Sequence, residues 1–179
     1  ADAYDTSFSS KSDVFITKLN ATGTSLLYST YIGGDERDGG GGITVDGNGN
    51  AYVVGRAQSS NFPTTPDAYD TSYNGGRSDA ILVKINATGT SLLYSTYIGG
   101  KKYDGGSEIK LDGSGNIYIA GLSRSSNFPT TYDAFDTSQN GDRDIFMTKL
   151  IPAGTSLLYS TYLGGNRDDC IYGLEVDGS

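Results

Sequence analysis

Thr22-Gly-Thr-Ser-Leu-Leu-Tyr-Ser-Thr-Tyr-Ile-Gly-Gly34 decides the fold, because it returns letter for letter as Thr88 to Gly100. Less its first residue, and with Leu163 in place of the Ile, it returns again as Gly154 to Gly165. The offsets are 66 and then 65 residues. A fixed period of that length makes each copy one supersecondary unit, so local structure is read copy by copy. Asp2-Ala-Tyr-Asp-Thr-Ser7 reappears as Asp67 to Ser72 and, with Phe135 for the Tyr, as Asp133 to Ser138. Ser59-Ser-Asn-Phe-Pro-Thr-Thr65 reappears as Ser125 to Thr131, and Asp46-Gly-Asn-Gly-Asn50 as Asp112-Gly-Ser-Gly-Asn116.

Each unit holds four strand-like segments. Ile43-Thr-Val-Asp46, Ile109-Lys-Leu-Asp112 and Leu174-Glu-Val-Asp177 alternate apolar and polar residues, as a half-buried first strand requires. Gly39 to Gly42 read as slack before it. Ala51 to Gly55 and Ile117 to Gly121 form the second strand, joined to the first through Gly and Asn, which suit tight hairpin turns. A polar connection of about 20 residues follows, longer than a hairpin loop. Phe62 and Phe128 are expected to anchor it, while Pro63 and Pro129 stop a continuing strand. Asp13 to Leu19, Asp79 to Ile85 and Asp144 to Leu150 form the third strand. The opening stretch supplies the fourth, with Leu26, Tyr28, Thr30 and Ile32 on one face and Leu27, Ser29 and Tyr31 on the other.

No segment carries an apolar period near 3.6 over a helix's length. The fold class is therefore all-β: tandem four-stranded antiparallel blades of a β-propeller or propeller-like array, about 66 residues per repeat. The expected divisions are a partial blade at 1–34 holding strands three and four, blades at 35–100 and 101–165, and a further first strand within 166–179. That makes eleven strands, too few blades to close a ring. The chain begins at Ala1 and its one methionine is Met147, as in a processed product or an excised piece. Either further blades continue the array or copies cover one another's edges, because bare edge strands attract pairing.

The run Asp-x-Phe-(Ile/Met)-Thr-Lys-Leu, then Leu-Leu-Tyr-Ser-Thr-Tyr-(Ile/Leu)-Gly-Gly, then Val-Asp-Gly-x-Gly-Asn-x-Tyr, then Ser-Asn-Phe-Pro-Thr-Thr resembles the SBBP type of β-propeller repeat. The resemblance covers essentially the whole chain. It implies a blade fold and a setting in large secreted or surface proteins of bacteria and archaea, with no general catalytic motif. Gly33-Gly34 is also similar to the kelch double glycine, but kelch blades expect a Trp, and this chain has none.

Composition narrows the chemistry. A net charge of −8, from 21 acids and 13 bases, opposes capture of nucleic acid or an anionic membrane. No run of about 18 apolar residues marks a membrane-spanning helix. The absence of His removes Ser-His-Asp, Cys-His and His-metal mechanisms together. Cys170 is alone, so it forms no disulfide within the chain and has no ordinary activating base. The loop acids Asp35, Glu36, Asp38, Asp104, Asp168 and Asp169 are the candidates for paired-carboxylate work, in loops whose contents differ between copies. Gly39 to Gly42 is no phosphate loop, for neither Lys-Ser/Thr nor a helix follows.

Calcium is the one candidate cofactor. Asp46, Asn48 and Asn50, with Asp112 and Asn116, set oxygen side chains at alternate positions, although a tight turn wants the same residues. Asn20 and Asn86 stand in Asn-x-Thr sequons on the turn between strands three and four; the third copy has Ile151-Pro152 instead. Tyr28, Tyr31, Tyr94, Tyr97, Tyr159 and Tyr162 form a repeated ladder suited to sugar stacking, contact with a neighbouring chain, or plain sheet packing. The reading is a structural or interaction module of an extracellular or cell-surface protein, not an enzyme. Its partners are copies of itself or further blades, and glycans. A lectin-like propeller is the alternative, and a propeller lyase or glycosidase a third.

Overall fold

A computed structural model describes residues 3–9 and 11–177, and contains no helix among them. Ten strands follow in order: β1 (Val14–Leu19), β2 (Leu26–Ile32), β3 (Asp38–Val45), β4 (Ala51–Ala57), β5 (Asp79–Ile85), β6 (Leu92–Ile98), β7 (Asp104–Leu111), β8 (Ile117–Ser123), β9 (Asp144–Leu150) and β10 (Leu157–Leu163). They form two four-stranded meanders, β3-β4-β5-β6 and β7-β8-β9-β10, and a two-stranded piece, β1-β2. Every ladder is antiparallel. These are propeller-like blades at the predicted period.

The turns explain the repeated glycines at their tips. Gly49 and Gly115 have φ +80°, and Gly23, Gly89 and Gly154 lie between +68° and +75°, a region costly for any residue with a Cβ. Across the first hairpin Asp46 N–H donates to Asn50 O at 3.1 Å, and Gly49 N–H donates to Asp46 O at 2.9 Å. Asn86 N–H donates to Ser91 O in the second, at 3.0 Å.

Two sequence expectations need correction. Gly39 to Gly42 are not slack: they lie inside β3, which starts at Asp38 rather than Ile43. There the chain must pass another backbone. A Cβ on Gly41 would sit 2.3 Å from the carbonyl oxygen of Gly106 on β7, and one on Gly42 would sit 2.7 Å from that of Ser107. Strand propensity is overruled by proximity. Leu174 to Asp177, expected as a first strand, lie in no ladder. A strand needs a hydrogen-bonded neighbour strand, and among the described residues no ladder includes this segment, where Leu174 is buried and Glu175 pairs with Lys110 at 3.1 Å. Ten strands, not eleven, are formed among the described residues.

The core is two layers lying between blades. One, centred on Val53, Ile81, Val83 and Tyr97, takes Val14, Ile16 and Ile32 from the partial blade. The other joins Val54, Leu82 and Ile98 to Ile109, Ile119 and Phe146 of the next blade. The middle blade is consequently buried on both faces, and β4 and β5 read as nearly continuous apolar runs. Phe62 and Phe128 anchor the long connections as expected, with Phe128 stacked on Phe146 at 4.3 Å between centroids.

Substituting Gly41→Ala is expected to destabilise the chain by about 1–3 kcal/mol, because the obstructing atom is backbone and cannot swing away. Gly39→Ala, whose Cβ would meet nothing within 4 Å, should change stability by less than about 0.5 kcal/mol. Urea unfolding of the two variants tests the contrast; equal midpoints would refute it.

Candidate functional site

The six ladder tyrosines divide by position. Tyr97 and Tyr162, equivalent in the repeat, are fully buried. Tyr97 donates its hydroxyl to Ser59 O at 2.6 Å and accepts Phe62 N–H at 3.1 Å. Tyr162 repeats this with Ser125 O and Phe128 N–H. The fourth strand thus latches the long connection of its own blade. Burial raises both phenols, Tyr162 to about 12, so they stay neutral hydrogen-bonding groups. Tyr31, their counterpart on the partial blade, meets Phe8 at 5.7 Å and is half-buried.

Tyr28 and Tyr94 serve the junction with the following blade, and Tyr159 is their counterpart on β10. Tyr28 lies over Gly89, where a Cβ would come within 2.4 Å of its ring. Tyr94 lies over Gly154 in the same way and donates its hydroxyl to Gly154 O. Tyr159 has no such turn among the described residues. It is half-buried and touches Tyr118 and Met147 Sδ instead.

The double glycines belong to the same junction. A Cβ on Gly99 would sit 2.7 Å from Asp79 Oδ1, and one on Gly100 would sit 2.7 Å from Asn127 Oδ1. Gly33 and Gly34 meet Asp13 and Asn61 in the same arrangement. The second glycine's N–H donates to the carboxylate opening the next blade: Gly34 to Asp38 at 2.8 Å, Gly100 to Asp104 at 2.7 Å. Ser59 Oγ closes on Asp38 and Ser125 Oγ on Asp104, each at 2.7 Å. Asp38 and Asp104 are therefore scaffold groups, walled in by their donors. Burial outweighs those bonds and raises both carboxyls.

The turn acids behave differently. Asp46 accepts from the backbone of Asn48 and Asn50 and from Asn50 Nδ2, and Lys84 stands 3.7 Å away. Burial opposes ionisation there, but these donors together hold the carboxyl low. Asp112 does the same with Ser114 and Asn116, and Lys149 lies 3.4 Å away. The Asn116 amide leads the causes that hold Asp112 at about 2. Of the calcium candidates, Asp46 and Asp112 spend their oxygens on the turn's own N–H groups, and a lysine ammonium already supplies the cation. Among the described residues no group of three or more acidic, His or Cys side chains converges as a metal site.

Asn20 and Asn86 brace their turns. The Asn86 Oδ1 accepts from Thr90 N–H at 2.8 Å and its Nδ2 donates to Thr90 Oγ1 at 3.1 Å, as Asn20 does with Thr24. Glu36 forms a surface pair with Lys11, and Cys170 is exposed, 3.7 Å from Arg143 Nη2. A cluster that repeat-based reading missed lies between the complete blades: Arg56, Arg77, Arg124 and Arg143 surround Tyr103 in a cavity of about 250 Å³. Their counterparts are Leu122, Asp142, Gln58 and Ser78, so no recurring motif marks them.

Asp79 is the strained member of the junction. Asn74 N–H donates to its Oδ2 at 2.6 Å, while its buried Oδ1 has no hydrogen-bond partner. Burial first, then the nearby Asp104 charge, push its carboxyl up to about 7 against the Asn74 bond. The folded chain then binds more protons than the unfolded one between roughly pH 4 and pH 7, so stability falls as pH rises through that window. Asp38 and Asp104 act in the same direction, so the parent must be compared with a single variant. Asp79→Asn is expected to remove about 2 kcal/mol of the stability difference between pH 5 and pH 8. Parallel denaturation at the two pH values checks it, and an unchanged difference would refute the assignment.

The sequence profile of the SBBP family, described as a beta-propeller repeat, matches residues 27–63 and 93–129. Each match runs from the fourth strand of one blade through the double glycine and the first hairpin of the next, ending in the Asn-Phe-Pro connection. No curated protein shows significant similarity to the chain. The chain thus carries two matches to the SBBP beta-propeller repeat, set on antiparallel four-stranded meanders of the kind that form propeller blades.

Proposed function

We propose that the chain is a structural and interaction module of an extracellular or cell-surface protein, working by seating blade against blade. The observation that carries this is the tyrosine junction. It is made twice within the chain, by Tyr28 on Gly89 and Tyr94 on Gly154. One half of it is unmatched at each end: among the described residues no glycine turn lies beneath Tyr159, which lines a cavity with Leu174 and Glu175, and Gly23 has nothing within 4 Å of its Cβ position. The Asp-Ala-Tyr-Asp block agrees. Tyr4 and Tyr69 pack against the two core layers, whereas their counterpart Phe135 is 86% exposed.

The partial blade offers a second open feature. β1 pairs with β2 alone, while its counterpart β5 is flanked by both β4 and β6. Phe15, beside the unpaired edge, is 70% exposed, and a groove of about 390 Å³ runs between β1 and β3. The two ends differ, so their union is head-to-tail and generates an array or a ring. The occupant is the blade surface of this repeat, supplied by further blades or by a second copy. The lectin-like alternative loses its stacking platforms, because Tyr28, Tyr94, Tyr97 and Tyr162 are buried.

Light scattering of the 179-residue chain over a range of concentrations tests the reading. The expected result is a mass that grows with concentration, and a shift toward monomer on Tyr159→Ser. A monomer at every concentration would overturn self-association, and growth unaffected by Tyr159→Ser would overturn the tyrosine junction as its basis.

A further inference from the structure

We propose that the cleft between the two complete blades is a binding site for a multivalent oxyanion, a sulfate or phosphate group, held by Arg56, Arg77, Arg124 and Arg143. The chain carries a net charge of −8 and six arginines, and four of the six line this one cavity. Such convergence in an acidic protein needs a cause. Charge balance at the surface does not supply it. Arg143 alone faces a carboxylate, Asp168 at 3.6 Å, and among the described residues no carboxylate lies within 4.0 Å of the guanidinium groups of Arg56, Arg77 or Arg124. Arg56 makes one long bond, to Tyr103 Oη at 3.4 Å. The buried Nε of Arg143 has no partner. The donor forks are built and mostly unspent, in the planar geometry that grips tetrahedral oxyanions with paired bonds.

The fold explains how four like charges are tolerated. Arg143 precedes buried Asp144, Tyr103 precedes buried Asp104, and Arg77 stands two residues before buried Asp79. These carboxylates are turned to other donors: Asp144 to Asn140 N–H, Asp104 to Ser123 and Ser125, and Asp79 to Asn74 N–H. Engaged by these donors, they leave the guanidinium N–H groups unoccupied. The site also continues inward. A second cavity of about 240 Å³ shares Arg56 and Tyr103 and is floored by Gly40, Gly41, Gly105 and Gly106. Bare backbone and a tyrosine beside an arginine cluster suit a ligand that carries its charge on a hydroxylated frame, as a sulfated or phosphorylated sugar does.

Calorimetry at constant ionic strength provides the test, with inorganic sulfate, inorganic phosphate, a sulfated disaccharide and the same disaccharide without sulfate. The expected result is saturable binding of the charged probes and none of the unsulfated sugar. Arg77→Gln and Arg124→Gln should each weaken it at least tenfold, while Lys101→Gln, outside the cavity, should leave it within twofold. Arg77 and Arg124 are exposed, and unchanged melting temperatures will show that the variants fold. Equal affinity for free sulfate and the sulfated sugar supports a site that reads the oxyanion alone. Tighter sugar binding supports use of the glycine-floored cavity as well. No saturable binding of any charged probe, or binding indifferent to both arginine substitutions, would overturn the proposal.

Discussion

Two sheets can touch backbone to backbone only where side chains are missing, and this chain depends on that contact. At the inner strands β3 and β7, Gly41, Gly42 and Gly106 leave no room for a Cβ between neighbouring blades. One strand outward, Val54 fits against Gly106. Farther out come Leu82, Ile98 and Phe146, and at the outer strand Tyr94 bridges to the turn around Gly154. The interface thus passes from bare backbone at Gly41 and Gly42 to large side chains across the same pair of sheets. Burying both faces of the middle blade supplies much of the stabilisation.

The junctions show why the copies are so alike. Each passage between blades needs a glycine over one aspartate, a second glycine beside the Asn-Phe-Pro connection, and an N–H aimed at the next blade's first carboxylate. An aspartate lowered into such a place loses hydration and must recover it from several donors. Asp38 and Asp104 do so through glycine and serine, whereas Asp79 leaves one oxygen unmatched. Changing one partner strands the others, so the set is kept together. Near-identity here reflects geometry that every blade must satisfy.

That logic also marks what could be read without coordinates. Alternation in the fourth strand and the Gly-Asn turns disclosed the blades, their hairpins and the limits of the third and fourth strands, because these depend on local pattern; β3 and β7 begin five residues earlier than alternation predicts. Gly39 to Gly42 misled, since a glycine run has low strand propensity and its reason for being there is a backbone 65 residues away in sequence. Leu174 to Asp177 misled in the opposite sense: alternation predicts a strand, but a ladder needs a partner. The tyrosines were recognisable as a ladder, but strand alternation alone could not say that Tyr97 faces its own blade's connection while Tyr94 faces the next blade's turn.

The arginines fall outside that legible part for a reason that bears on function. In a repeat chain, whatever every blade needs is repeated, and the tyrosines, double glycines and turn acids are all of that kind. Features that differ between copies are released from the common geometry. Arg56, Arg77, Arg124 and Arg143 come from four different positions of the repeat and meet because two blades stand side by side. Neither blade alone contains the cluster, so the site exists only at their junction. The packing of the two blades thereby brings the four arginines to one cavity. A ligand held by all four would brace the two blades against each other, coupling recognition to the same interface on which stability depends.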